Sequence, residues 1–584
     1  MSSYLRSIFQ RQRQNIRGAD ITARWIVAVG NVDNLTENVT WRDGSIAFLH
    51  SHPAASPHQR FRIIGDIWLS NREELIGKFK LDEASDSLTD VQIIAALWEM
   101  GGPSIVSLLE GMFAFAIWDR EQKSLLLVRD AVGVRTLYYS ISGDTRFASA
   151  QLAPLGRFAS QEIDLVALRD YLSCAFVPGD KTMFRYVREV RPGTIVSMPD
   201  GVARTYWQVE ERILGADQPI EWHAEKLRSL LDKVVKEYLP DGAPVGAYLS
   251  GGLDSSLIVA LAAKFHSHPV HTYSIHFGSE CPNELEFSSL IATHCNTSHH
   301  IIEITPADMW TLLPEAMAYL DDPIGDPLTV PNLILGRKAK EDVDVILNGE
   351  GGDPCFGGPK NQPMLLNNLY RAVTQSSNET KSEISDQDEA YLASFQKCSL
   401  DLPGLLNREI WEEVKSAESP FHADLNSDVN YLNRLLFINI KYKGADHILT
   451  KVNNVTQALG LRGLSPLFDH RLVEMSLTIP PEFKLSGAEE KAVLKEAVKD
   501  VLPAKIIERP KSGMMVPVQL GFRKYWQRQS RSLLLDSRAK IRRYLDQTLI
   551  REWLEYRGDT WSRYGVKLWL LVSLELWLQS HARD

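Results

Sequence analysis

Residues 249–256 of the chain read Leu-Ser-Gly-Gly-Leu-Asp-Ser-Ser. A strand-like run at residues 244–249 leads into this stretch, and an apolar helical run follows it as far as Phe265. A strand, a glycine turn and a helix N-terminus together point backbone N–H groups into one concave site that favours an anion. Gly251 and Gly252 let the backbone approach the anion closely, because they carry no Cβ. The stretch therefore predicts a phosphate-binding turn.

One acidic side chain in this turn indicates which phosphate chemistry it serves. Asp254 does not suit direct contact with phosphate, because a carboxylate beside phosphate oxygens needs a cation between them. A magnesium ion that bridges Asp254 to a pyrophosphate resolves the conflict. The Gly-x-x-x-x-Gly-Lys-[Ser/Thr] phosphate loop does not occur in the sequence. The turn resembles the pyrophosphate loop of ATP-pyrophosphatases, which split ATP into AMP and pyrophosphate to adenylate a substrate. A serine- and glycine-rich turn without a ligand is the alternative.

A second glycine-rich stretch follows a later strand pattern. Residues 345–347 read as a buried strand and run into Asn-Gly-Glu-Gly-Gly-Asp-Pro at residues 348–354. Glycines suit a turn at the end of a strand, but a Glu and an Asp together are not needed there. Asp353 is therefore a candidate second magnesium ligand with Asp254. Glu350 is a candidate general base. A solvated acidic loop is the alternative for this segment.

The pattern of strands and helices divides the chain into two predicted domains. Residues 1–208 are rich in short β-like runs with few helical patches, which predicts packed sheets. Residues 218–584 first alternate strands and helices, which predicts a parallel sheet with its ligand at the carboxyl ends of the strands. The chain then becomes mostly helical. The polar residues 374–390 are expected to form an exposed insertion.

Composition narrows the classes of function. The chain has 584 residues, of which 44% are hydrophobic and 24% charged, as in ordinary soluble proteins of several domains. A net charge of −10 argues against a general nucleic-acid binder and against an anionic membrane as partner. The five cysteines form no Cys-x-x-Cys pair and suit a reducing cytoplasm. The apolar stretch at residues 566–578 is too short to span a bilayer and is expected to be a buried helix.

Further motifs, taken in order along the chain, resemble the asparagine synthetase family over nearly its full length. The resemblance implies an α+β N-terminal glutaminase-like (Ntn-type) β-sandwich domain. An α/β ATP-pyrophosphatase (adenine nucleotide α-hydrolase-like) domain with a helical C-terminal region is expected to follow. The motifs lie at residues 109–119, 128–139, 171–179, 190–193, 250–256, 321–323, 348–358, 465–470, 509–511 and 568–577.

The same resemblance implies the cofactors and the residues that serve them. ATP and Mg²⁺ are the expected cofactors, with Asp254 and Asp353 as metal ligands. Glu350 and Lys511 are the expected catalytic residues, and Lys511 would contact the phosphates or stabilise the amide-forming intermediate. The expected nucleotide-binding residues are Leu249, Ser250, Gly251, Gly252, Asp254, Ser255, Ser256, Ile275, Asn348, Gly349 and Asp353.

The sequence departs from the family in both predicted domains. Glutamine-dependent members use an N-terminal cysteine as nucleophile, where this chain has Ser2. The family's Asn-Gly-Glu oxyanion segment aligns with residues 64–66, Ile-Gly-Asp, so the N-terminal domain is expected to be an inactive glutaminase. Lys-Val-Asp-Arg is replaced by Lys-Val-Asn-Asn at residues 451–454, and Glu-Val-Arg by Arg-Gly-Leu at residues 462–464. Both changes are expected near the acceptor substrate.

A ligase without its own ammonia source is expected to take its amine from the substrate. The leading hypothesis is a lasso-peptide cyclase (macrolactam synthetase) of the microcin J25 type. Such an enzyme would adenylate an Asp or Glu side chain of a precursor core peptide and close a ring with the peptide's N-terminal amine. A leader-binding protein and a leader protease are the expected partners, in the cytoplasm. A β-lactam synthetase-like enzyme, an ammonia-dependent asparagine synthetase and a non-catalytic peptide-binding scaffold are the alternatives.

Overall fold

A computed structural model of the chain describes residues 25–35, 38–81, 88–141, 143–156, 158–358, 364–365, 385–486, 489–509, 515–556 and 563–582. Ser2, Lys511 and residues 374–384 of the polar segment lie outside these ranges. The rest of the polar segment begins the helix Ser385–Ser394.

The N-terminal half contains two six-stranded antiparallel sheets. Their strand orders are β10-β8-β9-β1-β3-β2 and β12-β11-β7-β6-β5-β4. Because side chains alternate between the two faces of a strand, Val27 of β1 and Ala116 of β6 face a core between the sheets. Ile26 and Phe115 belong to the cores on the outer faces, which helices cover. The strands are β1 (Ile26–Gly30), β2 (Val39–Asp43), β3 (Ile46–Leu49), β4 (Ala54–Ala55), β5 (Phe61–Leu69), β6 (Gly111–Asp119), β7 (Ser124–Arg129), β8 (Tyr138–Ser140), β9 (Thr145–Ser149), β10 (Val187–Glu189), β11 (Thr194–Met198) and β12 (Val202–Thr205).

One segment of this half is long and apolar enough to cross a membrane, Asp90–Leu108. It consists of the α-helix Asp90–Gly101 and the 3-10 helix Gly102–Leu108. Ile94 and Trp98 of the α-helix are buried in the core on the outer face of the second sheet. The apolar composition of the segment is therefore explained by packing within the N-terminal half.

The C-terminal half is built on a five-stranded parallel sheet with the order β15-β14-β13-β16-β17. Helices cover both faces, which explains why residues 245–247 and 345–347 of two neighbouring central strands are buried. The two glycine-rich stretches follow β13 and β16, which are neighbours, so both begin at the carboxyl edge of the sheet. The strands are β13 (Val245–Tyr248), β14 (His271–His276), β15 (Ser298–Glu303), β16 (Val345–Leu347) and β17 (Arg462–Leu464), and β18 (Leu485–Ser486) pairs with β19 (Glu489–Glu490) as a hairpin.

Helices make up most of the described chain after β16. A single run of helix extends from Tyr431 to Ala458, and its middle, Asn439–Leu449, is π-helical. The apolar C-terminal stretch forms the buried helix Tyr564–His581, with Trp569 and Trp577 fully buried. The α-helices are Arg72–Phe79, Asp90–Gly101, Leu152–Leu155, Leu165–Cys174, Ile220–Tyr238, Leu253–Phe265, Leu285–His294, Pro306–Tyr319, Thr329–Lys340, Gly352–Phe356, Ser385–Ser394, Leu402–Leu405, Arg408–Val414, His422–Leu425, Tyr431–Ile438, Thr450–Ala458, His470–Thr478, Ala492–Val498, Ala504–Ile507, Val518–Gly521, Gln527–Leu534, Gln547–Leu554 and Tyr564–His581.

Buried polar groups join the two halves of the chain. Asp321 accepts hydrogen bonds from the backbone N–H of Leu152, at 2.7 Å, and from Nδ2 of Asn454, at 2.7 Å. The hydroxyl of Tyr171 donates to the backbone carbonyl of Leu570, at 2.9 Å. One hydrophobic cluster also contains residues of both halves. The halves therefore share a core and a hydrogen-bonded interface.

Candidate active site

The first glycine-rich turn leaves a helix N-terminus open. Gly252 is the N-cap of the helix Leu253–Phe265 and provides no side-chain cap, so the first backbone N–H groups face outward from the helix end. Gly251 has a φ of +77°, and a Cβ there would lie 2.6 Å from the backbone N of Ser288. The hydroxyls of Ser250 and Ser255 lie 3.0 Å apart. The turn therefore combines backbone and hydroxyl donors, as predicted for phosphate binding.

Glycines allow the second stretch to pack directly against the first. A Cβ on Gly349 would lie 2.5 Å from the backbone N of Ser255. A Cβ on Gly352 would lie 2.1 Å from Oδ1 of Asp254. Such distances leave no room for any larger side chain at either position. Residues predicted from two separate motifs thus form one site.

A buried lysine joins the two predicted magnesium ligands. Nζ of Lys491 lies 2.7 and 2.6 Å from the two carboxylate oxygens of Asp254. The same atom lies 2.6 Å from Oδ1 of Asp353. The side chain of Lys491 is only 3% exposed. A single positively charged group therefore contacts both carboxylates.

The electrostatics of this cluster keep Lys491 charged. Burial disfavours the ammonium form, but the charges and hydrogen bonds of Asp254 and Asp353 outweigh it and raise the pKa of Lys491 well above its usual value. Lys491 adopts a left-handed backbone conformation, with φ 56°, immediately before the helix Ala492–Val498. A non-glycine residue in that conformation is uncommon and often marks a functional site.

The sequence does not predict a role for Lys491. It follows Glu489 and Glu490, and a lysine after two acidic residues is typical of a solvated surface. The sequence does indicate that a cation is needed, because two carboxylates predicted at the same edge of the sheet require a positive charge near them. It does not indicate which residue supplies that charge. Lys511, which was predicted instead, lies outside the described residues. Arg509 lies two positions before it in the sequence, and its Nη1 donates to the carbonyl of Gly251, at 2.8 Å, so Arg509 itself contacts the phosphate turn.

Beside the carboxylates is a small cavity of about 100 Å³. Glu350 is on one wall, and Asn439 and Lys443 of the π-helical segment are on another. A π-helical turn displaces side chains from α-helical register and is frequent at functional sites. The lining residues are Asp254, Gly349, Glu350, Gly351, Asp353, Pro354, Gly358, Asn439, Lys443 and Ile448.

Two predicted nucleotide-binding residues have buried polar atoms with no hydrogen-bond partner among the described residues. These atoms are Nδ2 of Asn348 and Oγ of Ser256. Such groups are rare in native structures and suggest a ligand. The carboxylates of Asp254 and Asp353 are donors that Mg²⁺ prefers, and both reach one cation. The residues present therefore fit ATP with Mg²⁺.

Leu249 and Ile275, two further predicted nucleotide-binding residues, are buried in the parallel-sheet half of the chain. Leu249 is 1% exposed, and its backbone N–H donates to the carbonyl of Tyr273 on the neighbouring strand, at 2.9 Å. Ile275 lies near the end of β14 and is 4% exposed. Both belong to the hydrophobic cores beneath the phosphate turn. Their contact with a nucleotide stays a prediction.

The aligned oxyanion segment of the N-terminal half is used for packing. Ile64 is 5% exposed and lies in the core between the two sheets. A Cβ on Gly65 would lie 2.4 Å from Cβ of Phe115. Asp66 accepts a hydrogen bond from Nε2 of Gln457, at 2.5 Å, and lies 3.5 Å from Arg135. The position expected to hold an amide donor therefore has a buried apolar side chain.

The two altered segments of the C-terminal half have structural partners. Asn453 accepts a hydrogen bond from Arg135, at 2.8 Å, and Asn454 is bonded to Asp321. Residues 462–464 form the edge strand β17 of the parallel sheet. The described cavity is lined by earlier turns of the long helix. The asparagines at 453 and 454 therefore contribute to the interface between the halves, and the expectation that they lie near the acceptor substrate stays a prediction.

Known proteins match the chain in both halves. Residues 226–579 match the family model for asparagine synthase, and residues 47–207 match the model for a glutamine amidotransferase domain. Asparagine synthetase (glutamine-hydrolyzing) 1 of Bacillus subtilis is 26% identical over 541 residues, which cover 87% of this chain and 83% of that protein. Asparagine synthetase (glutamine-hydrolyzing) 3 of the same organism is 29% identical over 69% of this chain and 67% of that protein. Asparagine synthetase B (glutamine-hydrolyzing) of Escherichia coli is 24% identical over 72% of this chain and 64% of that protein.

Proposed function

The chain belongs to the asparagine synthase family of ATP-dependent, AMP-forming carbon–nitrogen ligases, and from this we propose that it is a lasso-peptide cyclase. A side-chain carboxylate of Asp or Glu in a precursor core peptide attacks the α-phosphorus of ATP. This step forms an acyl adenylate and releases pyrophosphate. The peptide's N-terminal amine then attacks the acyl carbon, AMP leaves, and the new amide bond closes a macrolactam ring.

The observation that carries the proposal is the contrast between the two halves of the chain. The C-terminal half brings Asp254, Asp353 and Lys491 together beside the phosphate turn. The N-terminal half has the buried Ile64 where the family's oxyanion donor is expected, and the sequence has Ser2 in place of a cysteine. Loss of one oxyanion donor costs about a hundredfold or more in rate. A ligase that obtains no ammonia from glutamine can take its amine from the substrate itself, as a cyclase does.

The chain's own groups can perform the phosphate part of the reaction. The open helix N-terminus at Gly252 and the backbone of Gly251 bind the phosphates. Lys491 keeps a fixed positive charge beside them and stabilises the charge that develops as pyrophosphate leaves. Asp254 and Asp353 would hold Mg²⁺, which when bound neutralises phosphate charge.

The amide-forming part needs a base for the attacking amine. An α-amine has a pKa near 8, so a modest base is sufficient to take its proton. Glu350 lines the cavity next to the carboxylates and is the candidate for this role. Holding the amine close to the acyl carbon is a positioning task that supplies much of the rate.

A second candidate function is ammonia-dependent asparagine synthesis. The relatives named above are asparagine synthetases, and the same phosphate site would adenylate aspartate. In that case free ammonia replaces the peptide amine, and the N-terminal half again takes no part in the chemistry.

Peptide cyclisation by the purified full chain tests the proposal. The substrate is a candidate core peptide with a free N-terminal amine and an Asp or Glu side chain, in the presence of ATP and Mg²⁺. The expected product is lighter than the substrate by one water, and AMP and pyrophosphate appear in equal amounts. The same peptide with an acetylated N-terminus is the matched control and should give no ring. Asparagine formed from aspartate and ammonia, with no peptide product, would reject the cyclase in favour of the second candidate.

The proposal also implies partners. A cyclase that acts on a core peptide needs a leader protease to free the N-terminal amine and a leader-binding protein to deliver the precursor, in the same cytoplasmic compartment. Co-purification of the tagged chain with the products of neighbouring genes examines this part separately from catalysis.

A further inference from the structure

Two histidines and an aspartate converge on the parallel sheet, away from the phosphate turn. His271 is the first residue of β14, and His300 lies in β15. Asp342 lies between the helix Thr329–Lys340 and β16. One ligand atom from each residue lies within 4.8 Å of the other two. His271 and Asp342 lie at the amino ends of β14 and β16, whereas the phosphate turn follows the carboxyl end of β13.

The ring nitrogens of this cluster lack hydrogen bonds within the described residues. Nδ1 of His271 and Nε2 of His300 are buried and have no hydrogen-bond partner there. Nε2 of His300 lies 3.6 Å from Oδ2 of Asp342, which is beyond hydrogen-bonding distance. Buried nitrogens without partners are costly, so an ion that accepts their lone pairs would account for both of them.

A tyrosine already orients the carboxylate. The hydroxyl of Tyr273 donates to Oδ2 of Asp342, at 2.9 Å, and its ring stacks on that of His300 with centroids 5.0 Å apart. Tyr273 and His300 are register partners on adjacent strands, so they share one face of the sheet. Hydrogen bonds of this kind fix the orientation of metal-ligating carboxylates.

From this arrangement we propose that His271, His300 and Asp342 form a zinc site that joins β14, β15 and the segment before β16. Two imidazoles and one carboxylate are a donor set that suits Zn²⁺, with water in the fourth position. Tetrahedral zinc with bonds of 2.0–2.1 Å needs ligand atoms about 3.3 Å apart. The proposal requires the three ligand atoms, now within 4.8 Å of one another, to approach to this spacing when zinc binds. The side chains of His300 and Asp342 are 27% and 26% exposed, which leaves the ion a path from solvent.

Metal content of the full-length protein tests this site. The protein is stripped with a chelator, incubated with ZnCl₂ and dialysed, and its zinc is measured by mass spectrometry. Because Asp254 and Asp353 could also take up zinc, the measurement uses the Asp254→Asn background. We expect one tightly held zinc ion per chain, which is lost in His300→Ala and in Asp342→Asn.

Further variants separate metal binding from a general effect on folding. Asp342→Asn keeps the size of the side chain and an acceptor for Tyr273, so it retains the fold while it weakens the metal ligand. Tyr273→Phe removes only the orienting hydroxyl and should weaken zinc binding about 10- to 100-fold. His299→Gln is the matched control, because His299 lies on the opposite face of β15 and should leave zinc binding unchanged.

Cobalt provides a spectroscopic readout of the same site. Titration with CoCl₂ should produce the visible absorption of a tetrahedral complex in the parent protein and in His299→Gln, but not in His300→Ala or Asp342→Asn. The proposal is overturned if the parent protein keeps no zinc after dialysis. It is equally overturned if Asp342→Asn and His300→Ala keep as much zinc as the parent.

Discussion

Replacing Lys491 with methionine removes the charge between Asp254 and Asp353 and keeps a side chain of similar length. Loss of a preorganised electrostatic group at a reacting centre costs about 100- to 1,000-fold in rate, or roughly 3–4 kcal/mol. Breaking a buried ion pair costs about 3–5 kcal/mol of folding stability. The lower end applies here, because the side chain of Asp353 is 34% exposed and solvent screens its charge. We therefore expect both a large loss of activity and a loss of about 3 kcal/mol of stability.

Magnesium distinguishes the two effects. In Lys491→Met the freed carboxylates should bind Mg²⁺ more tightly, so Mg²⁺ should restore most of the stability but not the activity. Single-turnover pyrophosphate release measures the activity, and urea denaturation with and without Mg²⁺ measures the stability.

The matched control lies one helical turn further on. The side chain of Lys495 is 24% exposed and lies 3.9 Å from Glu489, so Lys495→Met should change stability by less than about 0.5 kcal/mol and leave the rate unchanged. Pyrophosphate release by Lys491→Met within tenfold of the parent rate would refute the assignment. An equal loss of the pyrophosphate-release rate in Lys491→Met and Lys495→Met would refute the assignment as well.

Three further predictions concern the magnesium ligands, the glycine packing and the response to pH. Asp353→Asn should raise the Mg²⁺ concentration needed for half-maximal pyrophosphate release by about tenfold, and an unchanged Mg²⁺ titration would contradict its role. Gly352→Ala places a Cβ 2.1 Å from Oδ1 of Asp254 and should cost about 1–3 kcal/mol together with activity. Gly404→Ala, whose nearest neighbour is 3.8 Å away, should cost neither. Burial lowers the pKa of His447 from 6.5 to about 4, so the unfolded chain takes up this proton first. The stability that neutral His447 contributes is thus complete above pH 6.5 and is lost as the pH falls towards 4. In His447→Gln the urea concentration at the unfolding midpoint should therefore depend less on pH between 6.5 and 4 than in the parent protein.

Much of the fold follows from local patterns in the sequence. Strand–turn–helix alternation predicts β13, β14, β15 and β16 and the helices between them, because apolar runs bounded by turn residues have few other solutions. The strand β17, Arg462–Leu464, was not predicted. It is three residues long and contains Gly463, so it is held by its neighbour β16 and by packing, not by its own propensity.

The active-site residues that lie within short continuous motifs could be predicted from the sequence. Asp254 and Asp353 lie in glycine-rich turns after strands, so the chemistry and the topology agree. Lys491 reaches the site from the start of a separate helix, 138 residues after Asp353 in the chain. No local sequence pattern predicts a contact between residues that are so far apart in the chain. The π-helical segment Asn439–Leu449 was also not predicted, because its sequence has no signal that distinguishes it from an α-helix.

The interface between the halves has a consequence for how such an enzyme can evolve. Asp321, Asn454 and Tyr171 have their partners across that interface, and a chain that lost its first half would expose them along with the apolar core around them. The N-terminal half is therefore expected to be retained for the stability of the ligase half, whether or not it hydrolyses glutamine. Shared packing of this kind would keep the two halves in one chain even if selection for the activity of the first half were lost.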